Sequence, residues 1–391
     1  MRKFAERMNR IRPSATLKMM QTVQDLKKKG INVISFNVGE PDFTTPAHII
    51  DAAKAALDKG MTHYTPARGL PDLREAIAKK MNKENNIKCT ANDVIVTTTK
   101  FGIFASVLAC CDKGDEVLMP DPTWVSYMEM ATFANADVKF VSTVHGDDLS
   151  LTAEDVANSI TPRTKLIMLN SPSNPTGAII REKDLKGIAD LAIDHDLFVL
   201  SDEIYEYIIF NGKHVSIGSF PGMAERTITV NGFSKAFAMT GWRLGWIVAP
   251  EKILGQVGKL QEHAITCATS FAQVAGITAL EGSKEPVNKM VSEFKKRRDL
   301  ICGLLNEIPG IHCAVPDGTF YAFPRYDMKM SSQELGDYLL NEAHVAVTAG
   351  SAFGPHGEGF IRMSFATSPD NIKKGVEQMR TAVEELRKKK G

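Results

Sequence analysis

From Asn92 to about Gly282 the chain alternates short, uniformly apolar runs with stretches of helical periodicity, and this alternation restricts the fold more than any other feature. DVIVTT precedes KFGIFASVLACC, EVLMP precedes WVSYMEMATFA, VKFVST precedes LTAEDVANSI, and KLIMLN precedes EKDLKGIADLAIDHD. LFVLSDE, TITVNG and GWIVAP continue the series. A strand that is apolar at every position has no face for solvent, so such strands belong to a parallel sheet covered by helices on both sides. The reading is an α/β fold, an open, doubly wound and mostly parallel sheet in a large domain spanning 47–282.

From Ser283 the pattern changes to a basic helix (SEFKKRRDLICGLLNEI), a β-hairpin (IHCAVPDGTFYAFPRYD), another helix, the strand FIRMSFATS and a final helix. This predicts a smaller α+β domain over 283–391. Residues 1–46 carry a helical run ending at Lys29-Gly30 and the strand INVISFNV, expected to join the small domain rather than the parallel sheet.

Composition narrows the function. The chain has 391 residues, enough for two cores, and its 47 Lys and Arg against 46 Asp and Glu leave +1. That balance gives no bulk electrostatic reason for nucleic acid or an anionic membrane as partner. The six cysteines form no CxxC and read as buried reduced thiols, with neither a zinc site nor a disulfide framework signalled. No stretch approaches the ~18 apolar residues of a membrane span, and MRKFAERMNRIRPS lacks the apolar core of a secretory signal. A cytoplasmic enzyme acting on small molecules is the expectation.

In open α/β sheets ligands bind beyond the carboxyl ends of the strands, so the polar residues following each apolar run are the informative ones. They are Thr98, Thr99 and Lys100 after VIVT, Asn170 and Asn174 in NSPSNPTG, Asp202, Glu203 and Tyr205 after LFVLS, and Ser234, Lys235 and Arg243 after TITVNGF. An acid and a lysine at neighbouring strand ends form either an ion pair or, with Arg243, the anchoring set for pyridoxal phosphate.

The string GFSKAFAMTGWRLG decides between them, because it resembles the lysine signature of the class I/II aminotransferases of fold type I. Glycine stands three before Lys235, Arg243 eight after it, and glycine two beyond that. NVGEPDF, HYTPARGLPDLREAI, PTWVSY, NSPSNPTG, SDEIY and FIRMSFATS are similar to that family's blocks in its order, most of all in its prokaryotic aspartate aminotransferase branch.

The resemblance implies a ping-pong transaminase with pyridoxal 5'-phosphate covalently held by Lys235. Asp202 would pair the pyridine nitrogen, and Tyr205 and Asn174 would bond the phenolic oxygen. Trp124 would stack on the ring, Ser234 would contact the cofactor, and the phosphate would meet Arg243 and the amides of Thr99 and Lys100. Tyr64 would reach the phosphate of a neighbouring subunit, making a homodimer with shared sites. Two departures from the family pattern stand out: Thr98-Thr99-Lys100 where many members carry glycine, and Gly232 where some carry a phosphate-binding serine.

For the substrate, the resemblance assigns Arg362 and the Gly39 backbone to the α-carboxylate, with Lys100 reaching a distal carboxylate and Thr16 adding a polar contact. Aspartate with 2-oxoglutarate is the expected pair; aromatic or broad specificity, or a carbon–sulfur β-lyase on the same scaffold, are the alternatives. A nucleotide-dependent dehydrogenase lacks its GxGxxG, and metal hydrolysis lacks HExxH or clustered ligands among the nine histidines. A transcription regulator would need an appended helix-turn-helix domain.

Overall fold

The computed structural model describes residues 4–390, with the side chains of residues 7, 15, 16, 389 and 390 outside that description. The chain opens with helix α1 (Ala15–Lys28) and the short strand β1 (Ile34–Ser35), followed by helices α2 (Ala47–Asp58) and α3 (Pro71–Glu84). Then come β2 (Val94–Thr97), α4 (Thr99–Cys110), β3 (Glu116–Asp121), α5 (Val125–Phe133), β4 (Asp137–Ser142), β5 (Thr164–Asn170), β6 (Phe198–Asp202), β7 (Thr227–Gly232) and β8 (Gly245–Val248).

Strands β2 to β8 form one seven-stranded sheet in the order β2-β8-β7-β6-β5-β3-β4. All seven apolar runs of the sequence are strands of it. One differs in direction: β8 pairs antiparallel with both β2 and β7, whereas the other pairings are parallel. GWIVAP is reached by a short loop from β7, and a parallel return would need a full crossover.

Alternate residues of the central strands enter different cores, which is why those strands are mostly apolar, while the edge strand β4 carries exposed Asp137 and half-buried Lys139. Ile95, Leu166, Met168 and Ile247 lie with α4 and α5 on one face, while Val94, Val96, Trp246, Ile167 and Leu169 pack on the other. Burying each such side chain contributes about 1.5–3 kcal/mol.

The rest of the chain is built from short ladders. Tyr321–Ala322, Ile361–Ser364 and Thr348–Ala349 form a three-stranded antiparallel sheet. The expected hairpin divides: Ile311–His312 pairs with Arg325–Tyr326, whereas Tyr321–Ala322 turns to Met363 and Ser364. β1 pairs in parallel with Val345–Ala346. Helices Glu285–Asn306 and Pro369–Lys390 cover a core containing Phe36, Phe294, Ile301, Phe320, Phe365 and Met379.

A buried charge network lies behind the carboxyl end of β6. Lys80 meets Glu206 and donates 2.6 Å to Asn85; Asn85 donates to both Glu206 and Glu203, and His214 lies 2.9 Å from Glu203. Glu203, Glu206 and His214 bring their side-chain ligand atoms within 4.8 Å of one another, a grouping of one histidine with two glutamates that the sequence did not signal. The Lys80 ammonium supplies the positive charge at that spot, and with His214 it holds Glu206 below the usual carboxylate range against its burial.

Candidate active site

Six strands point their carboxyl ends at one rim, and β8 starts there, so the residues after β2, β5, β6 and β7 converge by topology alone. They line a cavity of about 380 Å³ whose far wall comes from the short ladders and the roof from α1. Gly39, Thr99, Lys100, Trp124, Asn174, Asp202, Tyr205, Ser234, Lys235, Arg243 and Arg362 all line it.

Asp202 ends β6 almost fully buried. Its Oδ2 accepts a 2.6 Å hydrogen bond from the Tyr127 hydroxyl and its Oδ1 accepts from the Ile204 amide at 3.2 Å. Burial raises its pKa to about 6, opposed by those two donors and by the Lys235 charge. Asn170 ties neighbouring strand ends together, donating to the Asp202 carbonyl at 2.9 Å and accepting from the Asn174 amide at 2.8 Å.

Lys235 sits in a tight turn after β7, where Met239 N donates back to the Ser234 carbonyl and Ala238 holds a positive φ of 51°. The Lys235 Nζ donates 2.6 Å to the Gly39 carbonyl. Burial lowers its pKa to about 8, with Glu40 and Asp202 pulling it back up and Arg362 and Arg243 pushing it further down. An amine at that value has a substantial neutral fraction near pH 7–8, the condition for nucleophilic and base chemistry.

At the opposite end, Thr98 caps α4, its hydroxyl accepting from Phe101 N at 3.2 Å. The unpaired amides of that first turn open on the cavity, beside exposed Arg243. Thr99 does not offer its hydroxyl there: Oγ1 donates to the Asn231 carbonyl at 3.3 Å. A Cβ at Gly232 or at Gly245 would collide with that same Oγ1. The two departures from the family pattern are thus one exchange, because a serine at 232 and a threonine at 99 compete for a single space.

Arg362 is buried, and its guanidinium donates to Asn174 Oδ1 at 3.1 Å and to the Asn37 carbonyl at 2.8 Å. Its Nε is buried without a partner. Lys100, exposed at the rim, sets its ammonium 4.9 Å over the Trp124 ring, and its pKa is lowered by desolvation and by Arg243. Lys235, Arg243 and Arg362 all donate to uncharged oxygens, and with Lys100 they outnumber the lining acids Glu40 and Asp202, so the cavity is suited to anions.

One expected residue, Tyr64, is not among the residues lining the cavity and is 85% exposed on the surface of the chain. Thr16 lies on α1, and its side chain falls outside the described residues. Sequence reading missed Tyr127, Tyr321, Asn37 and Glu40, all cavity-lining. Tyr127 had a legible signal, three residues after Trp124 in PTWVSY; Tyr321 had none, because it lies in a ladder far along the chain.

The geometry describes a buried acid, a depressed lysine and anion sites at both ends of one cavity. Residues 31–379 match the class I and II aminotransferases, and the chain belongs to that pyridoxal phosphate-dependent family. It is 42% identical to an aspartate aminotransferase of Musicola paradisiaca, covering 98% of both chains. It is 41% identical to aromatic-amino-acid aminotransferase 2 of Thermococcus litoralis, again over 98% of each. An aspartate aminotransferase of Thermus thermophilus solved with maleate superposes with a TM-score of 0.94 at 37% identity, over 98% of this chain and 100% of that one.

A first expected result concerns Tyr127. Its hydrogen bond favours the Asp202 carboxylate, so Tyr127→Phe should raise the Asp202 pKa further above its present value of about 6. A charge-assisted bond of that kind is worth about 1.5 kcal/mol or more, on the order of one pH unit. Activity that needs the carboxylate is present above its pKa and lost below it, so the acid limb of kcat/KM should move to higher pH in Tyr127→Phe. Superimposable pH–rate profiles would remove Tyr127 from that role.

Proposed function

We propose that this enzyme transfers the amino group of aspartate to 2-oxoglutarate, as a cytoplasmic homodimer using pyridoxal 5'-phosphate attached to Lys235. The observation that carries the acidic-substrate reading is a pair of cations lining the one cavity, buried Arg362 with its partnerless Nε and Lys100 over Trp124. A dicarboxylic amino acid has an anion for each. The Thermus relative solved with the dicarboxylate maleate supports the same assignment.

The donor set also fits the cofactor. Asp202, with Lys235 as the nearby charge opposing its burial, suits a protonated ring nitrogen. Arg243, Ser234 and the first-turn amides of α4 suit the phosphate, Trp124 the ring face, and Tyr205 with Asn174 the phenolic oxygen. When bound, pyridoxal phosphate supplies the electron sink that acidifies the substrate α-hydrogen.

The chain's own residues then do the rest. Arg362 clamps the α-carboxylate in a planar fork, Gly39 offers its backbone to the same carboxylate, and Lys100 fixes the far end. Lys235 Nζ, an amine lowered to about 8 when free, would be released from the cofactor as the substrate amine takes its place there, and would then carry the α-proton from the substrate carbon to the cofactor. Tyr64, exposed and not among the residues lining its own cavity, is the aromatic that would reach a partner's phosphate.

The pairing of β1 with Val345–Ala346 supports dividing the chain into an N-terminal segment (1–46) that joins the small domain (283–391) and a large cofactor domain (47–282). Arg10 and Arg12 reach Asn135 and Glu129 beside and on α5, so that segment also touches the large domain. Free cysteines throughout, and no described helix long and apolar enough to cross a membrane, support the cytoplasmic assignment.

Leu17, Met20 and Ile103 give the cavity an apolar flank, which favours a second reading, broader specificity that includes aromatic side chains. Initial rates with aspartate, glutamate, phenylalanine, alanine and cysteine sulfinate, each with 2-oxoglutarate, separate the two. Aspartate is expected to be fastest, with no net ammonia; ammonia and pyruvate release would instead indicate the β-lyase chemistry.

A further inference from the structure

Tyr321 connects three groups that the proposed chemistry uses separately. Its hydroxyl lies 3.0 Å from that of Tyr205, both rings being buried. Its ring centroid lies 4.5 Å from the Arg362 guanidinium carbon. A Cβ added to Gly39, whose carbonyl holds Lys235, would fall 2.7 Å from the Tyr321 hydroxyl, so only glycine lets the phenol sit there. The backbone fixes this placement: Tyr321 pairs with Ser364 and Ala322 with Met363 on the strand that carries Arg362.

A phenol owns one proton. If Tyr205 gives its proton to the cofactor's phenolic oxygen, its own oxygen is left as an acceptor in a buried place, and Tyr321 is the donor at hand. Donation into Tyr205 polarises its hydroxyl and strengthens the bond it makes onward. Beneath Arg362 the same ring offers its negative face to a guanidinium that, among the described residues, pairs with uncharged oxygens only.

We infer that Tyr321 is a positioning residue for both ends of the site: its hydroxyl donates to Tyr205 and so strengthens the hydrogen bond to the cofactor's phenolic oxygen, and its ring braces Arg362 for the substrate carboxylate. This rests on the cofactor reading given above. The two roles use different parts of one side chain, so two variants separate them.

The test uses purified holoenzyme and follows the visible absorbance of bound pyridoxal phosphate through a pH titration. A donor to the phenolic oxygen favours its anion and lowers the pH at which the bound cofactor loses its shared proton. Tyr321→Phe should therefore raise the absorbance midpoint by about half a pH unit, less than Tyr205→Phe does. Adding Tyr321→Phe to Tyr205→Phe should shift it no further. Tyr321→Phe keeps the ring under Arg362, so Tyr321→Leu, which removes it, should weaken aspartate binding several-fold relative to Tyr321→Phe at saturating cofactor.

A wild-type band with an unmoved midpoint in Tyr321→Phe, or an equal shift in the Tyr205→Phe background, overturns the hydroxyl's role while leaving the cofactor reading intact. Aspartate binding in Tyr321→Leu no weaker than in Tyr321→Phe overturns the brace. Absence of any visible band in wild-type protein incubated with pyridoxal phosphate overturns the cofactor reading, and this inference with it.

Discussion

Lys235→Ala should abolish the aldimine band of bound pyridoxal phosphate, leave nothing for borohydride to trap on the chain, and reduce turnover by at least about 10²–10⁴-fold, the range of general acid–base catalysis alone. The expectation follows from position and pKa together. Lys235 lines the cavity, hydrogen-bonds the Gly39 carbonyl at 2.6 Å, and is lowered by burial to about 8. Lys100, the other cavity-lining lysine, stacks on Trp124 and is exposed, so it is the control: pyridoxyl found on Lys100 after reduction of the wild-type protein would reassign the catalytic amine. The inactive chain also tests the shared site. Mixed with Tyr64→Phe chains, it should form heterodimers in which one site carries both lesions and the other neither, and activity should partly return. Demonstrated subunit exchange without recovery would confine Tyr64 to its own chain.

The large sheet was legible because both its faces are covered. Most residues of a central strand must then be apolar, which writes a short apolar run into the sequence, and all seven runs are strands, the edge strand β4 with its Asp137 and Lys139 being the least apolar. Direction is not written there: GWIVAP looks like its neighbours and is antiparallel, because a strand buried on both faces has the same composition either way. The short ladders were less legible. Two-residue strands such as Tyr321–Ala322 carry no periodicity, and their partner Ile361–Ser364 lies some forty residues on, so pairing is decided by packing that no local pattern records.

The candidate site divides along the same line. Residues that follow strands of the large sheet could be read from the sheet rule, and Asp202, Asn174, Lys235 and Arg243 indeed share one cavity. Tyr321 and Asn37 reach it from elements whose relation to the sheet is purely tertiary. Thr99 and Gly232 look in the sequence like two independent departures; only the collision between Thr99 Oγ1 and a side chain at 232 reveals them as a coupled pair.

Arg362→Ala should weaken every amino acid substrate, and by more than any change at the rim. The guanidinium is buried, braced by Tyr321 and aligned by Asn174 and the Asn37 carbonyl, so its loss leaves a desolvated α-carboxylate without its partner. Truncating one member of a buried hydrogen-bonded charge pair costs about 2–5 kcal/mol, roughly 30- to 4,000-fold in kcat/KM. Arg362→Lys should recover little of it, because a point charge cannot reproduce the planar fork. Lys100→Ala provides the contrast. Lys100 is exposed and sits over Trp124, so its contribution belongs near the lower end, about 2 kcal/mol, and only for substrates with a second carboxylate. Aspartate should therefore lose on the order of 30-fold while phenylalanine is nearly unaffected, measured at saturating cofactor. If both substrates lose equally, Lys100 serves the cofactor end beside Arg243 instead, and the acidic side chain must be recognised elsewhere in the cavity.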